Sequence, residues 1–333
     1  MTVRELNELL NRRFPPALSA EWDCDGLQVS PDPDAKVTGV LIALDPTDTA
    51  IDEAEKTGCS VILTHHPLIF QPLSDVTPES GVGRRVQRLL SLGISAISCH
   101  TRCDAAEGGI NDSLAEMMGL TGVTSFADGI PRIGTLTRPM PPAEAVSFVL
   151  GATGAPKALY SGKAPERITR IAVCGGSGKD CLFAAAEAGA DLYFTGELSY
   201  HSRLDAYDLP LLTMEVGHDI SERHAVTVFY RALSSFAPEL PTVLFDYRAG
   251  DGFSGGMADQ TPKYASFKHS LTSSSLLSIF FDTRRIAAPY FLSSSVKASS
   301  DRAKNNSIIF SSSTTSPPSP IYYRKNLVFY RGV

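Results

Sequence analysis

The sequence predicts an α/β protein: two similar α/β lobes with mainly parallel sheets facing a shared cleft, followed by a low-complexity C-terminal tail. Three observations predict it. Short apolar runs of strand length alternate with amphipathic runs of helix length through the first ~250 residues, as in sheets covered by helices. The alternation pauses over a stretch richer in Gly and Pro at 121–165, which separates two halves, and then resumes. After Gly250 periodicity gives way to serine triplets at 273–275, 293–295 and 311–313 and to Pro317-Pro318-Ser319-Pro320. The expected division is a first lobe at 1–125, a second lobe at 126–249 and a Ser-rich tail at 250–333.

Each element follows from its residues. Val3, Leu6, Leu9 and Leu10 recur at helical spacing, and Pro15-Pro16 ends that opening helix. Val37 to Leu44 reads as a strand, Asp48 to Thr57 as a helix and Cys59 to Thr64 as the next strand. A helix at 82–92, a strand from Ile94 to Cys99 and a helix at 108–119 close the first half. The connector at 121–165 carries one short helix near 143–150. Strands are then expected at Ile168 to Val173, Asp191 to Thr195, Leu211 to Val216 and Thr242 to Tyr247, with helices near 179–189, 199–207 and 221–235. The tail has no Glu and no periodic apolar face, so it reads as disordered or as foreign to the domain, with an altered reading frame favoured by the abruptness of the change.

Composition narrows the function. Hydrophobic residues at 43% and charged residues at 20% are the balance of a soluble globular protein. No apolar run approaches the ~20 residues a membrane span needs, and polar residues interrupt the N-terminal stretch, so a cytoplasmic protein without membrane contact is expected. Cys24, Cys59, Cys99, Cys103, Cys174 and Cys181 include no CxxC pair and read as reduced, mostly buried thiols. The net charge of −6 splits into about −12 before Asp251 and +6 after it. An acidic body argues against nucleic acid as a partner.

Chemistry gathers at predicted strand ends. Thr64-His65-His66-Pro67-Leu68-Ile69-Phe70 leaves one strand, His100-Thr101-Arg102-Cys103-Asp104 leaves another, and Glu215-Val216-Gly217-His218-Asp219-Ile220-Ser221-Glu222 leaves a third and opens a helix. The crevice beyond the carboxyl ends of strands is where open α/β sheets bind ligands. Five of the seven histidines (His65, His66, His100, His201 and His218) fall at or just past such ends, which points to a metal site. Gly217 permits a sharp turn, and Ser221 can cap the helix after it. Gly175-Gly176-Ser177-Gly178 could offer backbone N–H groups to a phosphate, but it lacks P-loop spacing, and a tight strand-to-helix turn ranks ahead. His224 reads as an ordinary packed or solvated helix residue. Trp22 and Asp23 read as bracing the cleft by packing and capping.

Taken together, these segments make the sequence similar to the Nif-three-like family, also called GTP cyclohydrolase I type 2 homologues. The resemblance is carried by Pro15-Pro16 through Glu21-Trp22-Asp23, Gly26-Leu27-Gln28-Val29, Ala43-Leu44-Asp45, the His65-His66 segment, and His100-Thr101 with Asp104. Cys174 to Gly178, Thr195-Gly196-Glu197 with Tyr200-His201, and Gly217-His218 with Glu222 complete it, so that it runs in order through residues 1–249. The resemblance implies a dinuclear site with His65, His66, Asp104, His218 and Glu222 as ligands and either Glu222 or Asp104 as the bridge. Imidazoles and carboxylates without a thiolate cluster suit two divalent ions of Zn, Mn, Fe or Co per chain. It further implies a homo-oligomer, a ring-like hexamer, and His201 with Glu197 as proton-transfer candidates. A metal-dependent hydrolase of a nucleotide-like or phosphorylated small molecule is the expected function, against a non-enzymatic metal-binding or regulatory protein as the alternative. Two departures from the family pattern, Cys24 after Asp23 and Arg102-Cys103 before Asp104, replace no expected ligand.

Overall fold

Val40-Leu41-Ile42-Ala43 and Val61-Ile62-Leu63 offer no polar side chain to solvent, so strands made of them need cover on both faces. The protein is described by a computed structural model over residues 1–245; the tail expected from residue 250 lies outside the described residues. A first group of strands comprises β1 (Gly26–Val29), β2 (Val40–Ala43), β3 (Val61–Thr64) and β4 (Ser95–Ser98). A second comprises β5 (Thr121–Ser125), β6 (Arg132–Met140), β7 (Leu159–Gly162), β8 (Ile168–Ser177), β9 (Leu192–Glu197) and β10 (Leu212–Glu215). The last strand among the described residues, β11 (Thr242–Leu244), follows the second group in sequence but pairs with β2 of the first.

Two mixed sheets result, in the orders β1-β4-β3-β2-β11 and β5-β6-β8-β9-β10-β7. The runs β4-β3-β2-β11 and β8-β9-β10 are parallel. Antiparallel strands border them: β1 on one sheet, and β6, β5 and β7 on the other. The connector expected at 121–165 thus contributes three strands and a helix, Pro142–Thr153. Of these strands, β5 escapes sequence reading because every one of its residues is exposed and no buried alternation marks it.

The helices are α1 (Val3–Arg13), α2 (Asp48–Thr57), α3 (Gly81–Leu92), α4 (Thr101–Ala105), α5 (Ile110–Met117), α6 (Pro142–Thr153), α7 (Leu182–Glu187), α8 (Tyr200–Ala206), α9 (His218–Glu222) and α10 (Ala225–Phe236). Strand alternation then sorts the cover. Val40, Ile42, Val61 and Leu63 pack with Leu6 and Leu10 of α1 and Val228 and Phe229 of α10. Leu41, Ala43 and Ile62 face the other way, against Ala50 and Ile51 of α2 and Val86 and Leu89 of α3. In the second sheet Ile171, Val173, Leu192 and Phe194 meet α5 and α6, while Ala172, Cys174 and Tyr193 meet α7 and α8. Both sheets are therefore covered on both sides, and the ends of their parallel strands remain for chemistry. Among the described residues, no helix is long and apolar enough to cross a membrane.

Candidate metal centre

Three strand ends supply the site. His65 and His66 follow β3 directly, α4 begins three residues past β4 and carries Asp104, and α9 follows β10 after a single turn at Gly217. Gly217 has φ of 104°, a conformation that side chains disfavour, and it turns His218 and Glu222 back toward the first sheet. On α4, Asp23 reaches across to accept the Thr101 backbone N–H at 3.0 Å and the Thr101 hydroxyl, a cap supplied from outside the helix. Arg102 is buried beneath: its guanidinium meets Asp25 at 2.9 Å, the Asn11 side chain at 2.6 Å and the Ser98 carbonyl at 2.9 Å. Asp25 in turn accepts the His100 N–H at 2.9 Å, so Arg102 serves as a bracket under the strand end.

The side chains converge on Glu222, which is 3% exposed. His65 Nε2 and Asp104 Oδ1 lie 3.6 Å apart, and His65 Nε2 is also 3.6 Å from Glu222 Oε1. On the other side of the carboxylate, Glu222 Oε2 is 3.0 Å from His66 Nε2 and 3.2 Å from His218 Nε2. Two three-residue groups able to hold a metal ion share this one residue, His65 with Asp104 and Glu222, and His66 with His218 and Glu222. In a third, His100 offers a ring nitrogen near those of His65 and His66, with all three atoms within 4.8 Å of one another.

The outward Nδ1 atoms follow one rule. His65 Nδ1 meets the Cys99 carbonyl at 3.1 Å, His66 Nδ1 meets Asp45 at 2.7 Å, His100 Nδ1 meets Asp23 at 2.8 Å and His218 Nδ1 meets Glu197 at 3.1 Å. A carbonyl can only accept, so His65 carries its proton on Nδ1 and presents a bare lone pair from Nε2. That buried nitrogen and Asp104 Oδ1 have no hydrogen-bond partner. Buried polar atoms are costly unless paired, and two of them facing each other fit a cation between them.

Electrostatics divides the cluster. Burial, acting against nearby Glu222, lowers His65 to about 4. Burial also opposes charge on His66, but its bonds to Asp45 and Glu222 prevail and raise it to about 10. His218 rises to about 9 through its bond to Glu222, despite partial burial. Asp104 is raised well above the carboxylate range by burial and then by the charge of Glu222. Glu222 is itself buried, yet the surrounding imidazoles hold it well below that range.

The backing strand explains the glycines. Gly176 has φ of 64°, and a Cβ there would lie 2.2 Å from Glu222 Oε1. The Gly175 N–H donates to Asn111 Oδ1 at 2.8 Å, Gly176 N–H to Ser221 Oγ at 2.9 Å and Gly178 N–H to Thr195 Oγ1 at 3.0 Å. Those donors are spent inside the fold, so the phosphate role weighed for Gly175–Gly178 gives way to close packing against Glu222. Of the two proton-transfer candidates, Glu197 stands beside His218, while His201 is exposed on α8 with its ring against Tyr200. Asp45 is a site residue that no spacing flagged, and Asp23, expected as a cap, also holds His100. His100 pairs with Asp23 through its Nδ1. Asp23 does cap, and Trp22, although 62% exposed, packs edge-on against Phe70 and His100.

A two-sheet α/β scaffold that gathers histidines and carboxylates from both sheets around one buried glutamate defines the class: a protein with a potential metal centre at its strand ends. The family model described as Duf34/NIF3 (NGG1p interacting factor 3) matches residues 1–248, and the chain belongs to this family. A "GTP cyclohydrolase 1 type 2 homolog" of Clostridium perfringens is 34% identical over 230 residues, covering 67% of this chain and 87% of that protein. A "Protein NIF3 homolog" of Schizosaccharomyces pombe is 32% identical over 243 residues, covering 66% and 84%. Among solved structures, reduced HcgD from Methanocaldococcus jannaschii superposes with a TM-score of 0.65 at 28% identity, covering 74% of this chain and 98% of that one. Staphylococcus aureus protein SA1388 superposes at 0.69 with 23% identity, covering 76% and 99%, and shares the fold.

Proposed function

We propose that the protein is a metal-dependent hydrolase acting on a small molecule, with His65, Asp104 and Glu222 holding one divalent ion, His66, His218 and Glu222 holding a second, and Glu222 shared between them. The observation that carries this reading is the position of Glu222 at the intersection of the two ligand groups, beside a buried His65 Nε2 and Asp104 Oδ1 that lack partners. The all-imidazole and carboxylate donor set suits Zn, Mn, Fe or Co. Bound there, a pair of ions would supply Lewis-acid charge that makes water a nucleophile near neutral pH and stabilises developing anionic oxygen. The chain's own part is orientation: Cys99 O, Asp45 and Glu197 fix the His65, His66 and His218 rings so that their Nε2 atoms point inward. Glu197, about half exposed at the rim, is placed to exchange a proton with solvent through His218 Nδ1. The names of the curated relatives support a nucleotide-like substrate class, and the same reading includes the hexameric assembly that the family resemblance implies.

Elemental analysis of the purified full chain tests the proposal. About two transition-metal ions per chain are expected, with both lost in Glu222→Ala. Loaded protein is then screened against nucleotides and phosphoesters for release of a hydrolysis product. Protein that stays metal-free after exposure to Zn, Mn, Fe and Co would sink the reading. Full loading with no turnover and no exchangeable coordination position would favour metal handling instead.

A further inference from the structure

The row of rings at the cluster does not stop at its candidate ligands. His100 lies 5.1 Å from His65 and 5.7 Å from His66, centroid to centroid. Beyond it, Trp22 and Phe70 each meet the His100 ring at 6.1 Å and meet each other at 6.0 Å with an interplanar angle of 66°. Both are open to solvent, Trp22 at 62% and Phe70 at 43%. Edge-to-face rings of this kind make a corner rather than a closed stack, and they leave ring faces free.

The two aromatic side chains sit on loops that are tied down. The Gln28 side-chain NH2 donates to the Cys24 carbonyl at 2.6 Å and the Ile69 carbonyl at 2.7 Å, and its oxygen accepts the Ile69 N–H at 3.0 Å. One amide therefore joins the segment after Trp22 to the segment before Phe70. Asp23 anchors its loop on His100 and Thr101, and the Ala20 N–H donates to Thr101 Oγ1 at 2.9 Å. Large apolar rings held in position, exposed, and one imidazole away from a candidate metal centre form a preorganised apolar surface beside a polar one.

We propose that Trp22 and Phe70 form a stacking platform for a planar aromatic ring, so that this protein's ligand is a flat heterocyclic compound whose oxygen-bearing end reaches the partly exposed His66 side of the cluster. The inference rests on the two-metal reading of the cluster. It commits to a small molecule because the platform is continuous with the ligand row, and a ring seated there has its substituents one ring-width from the histidines. Sequence-tolerant stacking on aromatic side chains is a general mode of holding nucleobase-like rings.

Trp22 is the only tryptophan of the chain, which makes the platform its own reporter. Zn-loaded full-length protein would be excited at the tryptophan edge and titrated with AMP, GMP and CMP, with ribose 5-phosphate as the ring-free control. Saturable quenching by the nucleotides and none by the control is expected. By calorimetry, Trp22→Ala and Phe70→Ala should each weaken nucleotide binding by roughly tenfold, while Trp22→Phe stays within about threefold of the wild type. Zn content, measured in the same samples, should not change. Nucleotides that leave Trp22 emission untouched, or that bind Trp22→Ala as tightly as the wild type, would overturn the platform. So would variants that alter only the assembly mass in light scattering, since the rings would then face another subunit. Loss of Zn from the wild type refutes the metal reading separately, because metal content and ring quenching are independent readouts.

Discussion

The two sides of Glu222 both present imidazoles to it, His65 beside Asp104 on one and His66 beside His218 on the other, and these behave in opposite ways. On the inner side, His65 is fully buried, its Nδ1 rests on a neutral carbonyl, and burial drives it to about 4. On the outer side, the side chains of His66 and His218 keep 21% and 38% of their exposure, each Nδ1 rests on a carboxylate, and they rise to about 10 and 9. The inner side is dry and short of partners, while the outer side is wet and satisfied by ion pairs. In this imidazole cluster, the balance between burial and bonds to carboxylates, Glu222 included, decides whether a ring stays neutral or holds a second proton.

Removing the residue common to both sides should have the largest effect. Glu222→Ala is expected to abolish loading at both positions, taking elemental analysis from about two ions per chain to near zero. The next step separates the sides. His65→Ala should remove the inner ion and His218→Ala the outer one, each leaving about one per chain; losing both ions in both variants would mean the sides are not independent.

Acid should sharpen the contrast further. Without metal, His66 and His218 hold protons below about 10 and 9, so an outer ion must displace them at neutral pH, whereas His65 is already neutral there. Outer-side affinity should therefore fall as pH falls, with about two protons released on binding, readable by calorimetry in buffers of different ionisation enthalpy. The smallest effect is expected from the orienting carboxylates. Asp45→Ala should weaken the outer ion by roughly 10–100-fold. Glu197→Ala should cost less, because that carboxylate is 54% exposed and screened by water.

How much of this could be read from residues varies with distance along the chain. The strands β2, β3, β8, β9 and β10 were legible because their apolar runs are short and bounded. The border strands β1 and β5 were not, since an edge strand with one or no buried face carries no continuous apolar run. Spacing and resemblance brought His65, His66, Asp104, His218 and Glu222 forward, and the structure gathers them. That Glu222 stands at the centre is a contact spanning 156 residues, to which local spacing is blind. Asp23 was expected only as a brace and cap, and Asp45 had no expected role, for a related reason: an aspartate in a loop looks like any turn residue until its histidine is found.

The path of β11 has a consequence for biosynthesis. This strand extends the first sheet only after the entire second sheet has been made, so nothing before residue 242 completes the first. His65 and His66 leave the ribosome 156 residues ahead of Glu222, an interval of roughly 8–30 s at about 5–20 residues per second. For that time the nascent chain exposes a histidine pair without its central carboxylate. Under the proposed function, metal loading would then wait for α9 and be followed by the pairing of β11 with β2, with residues 246–333 still to be made.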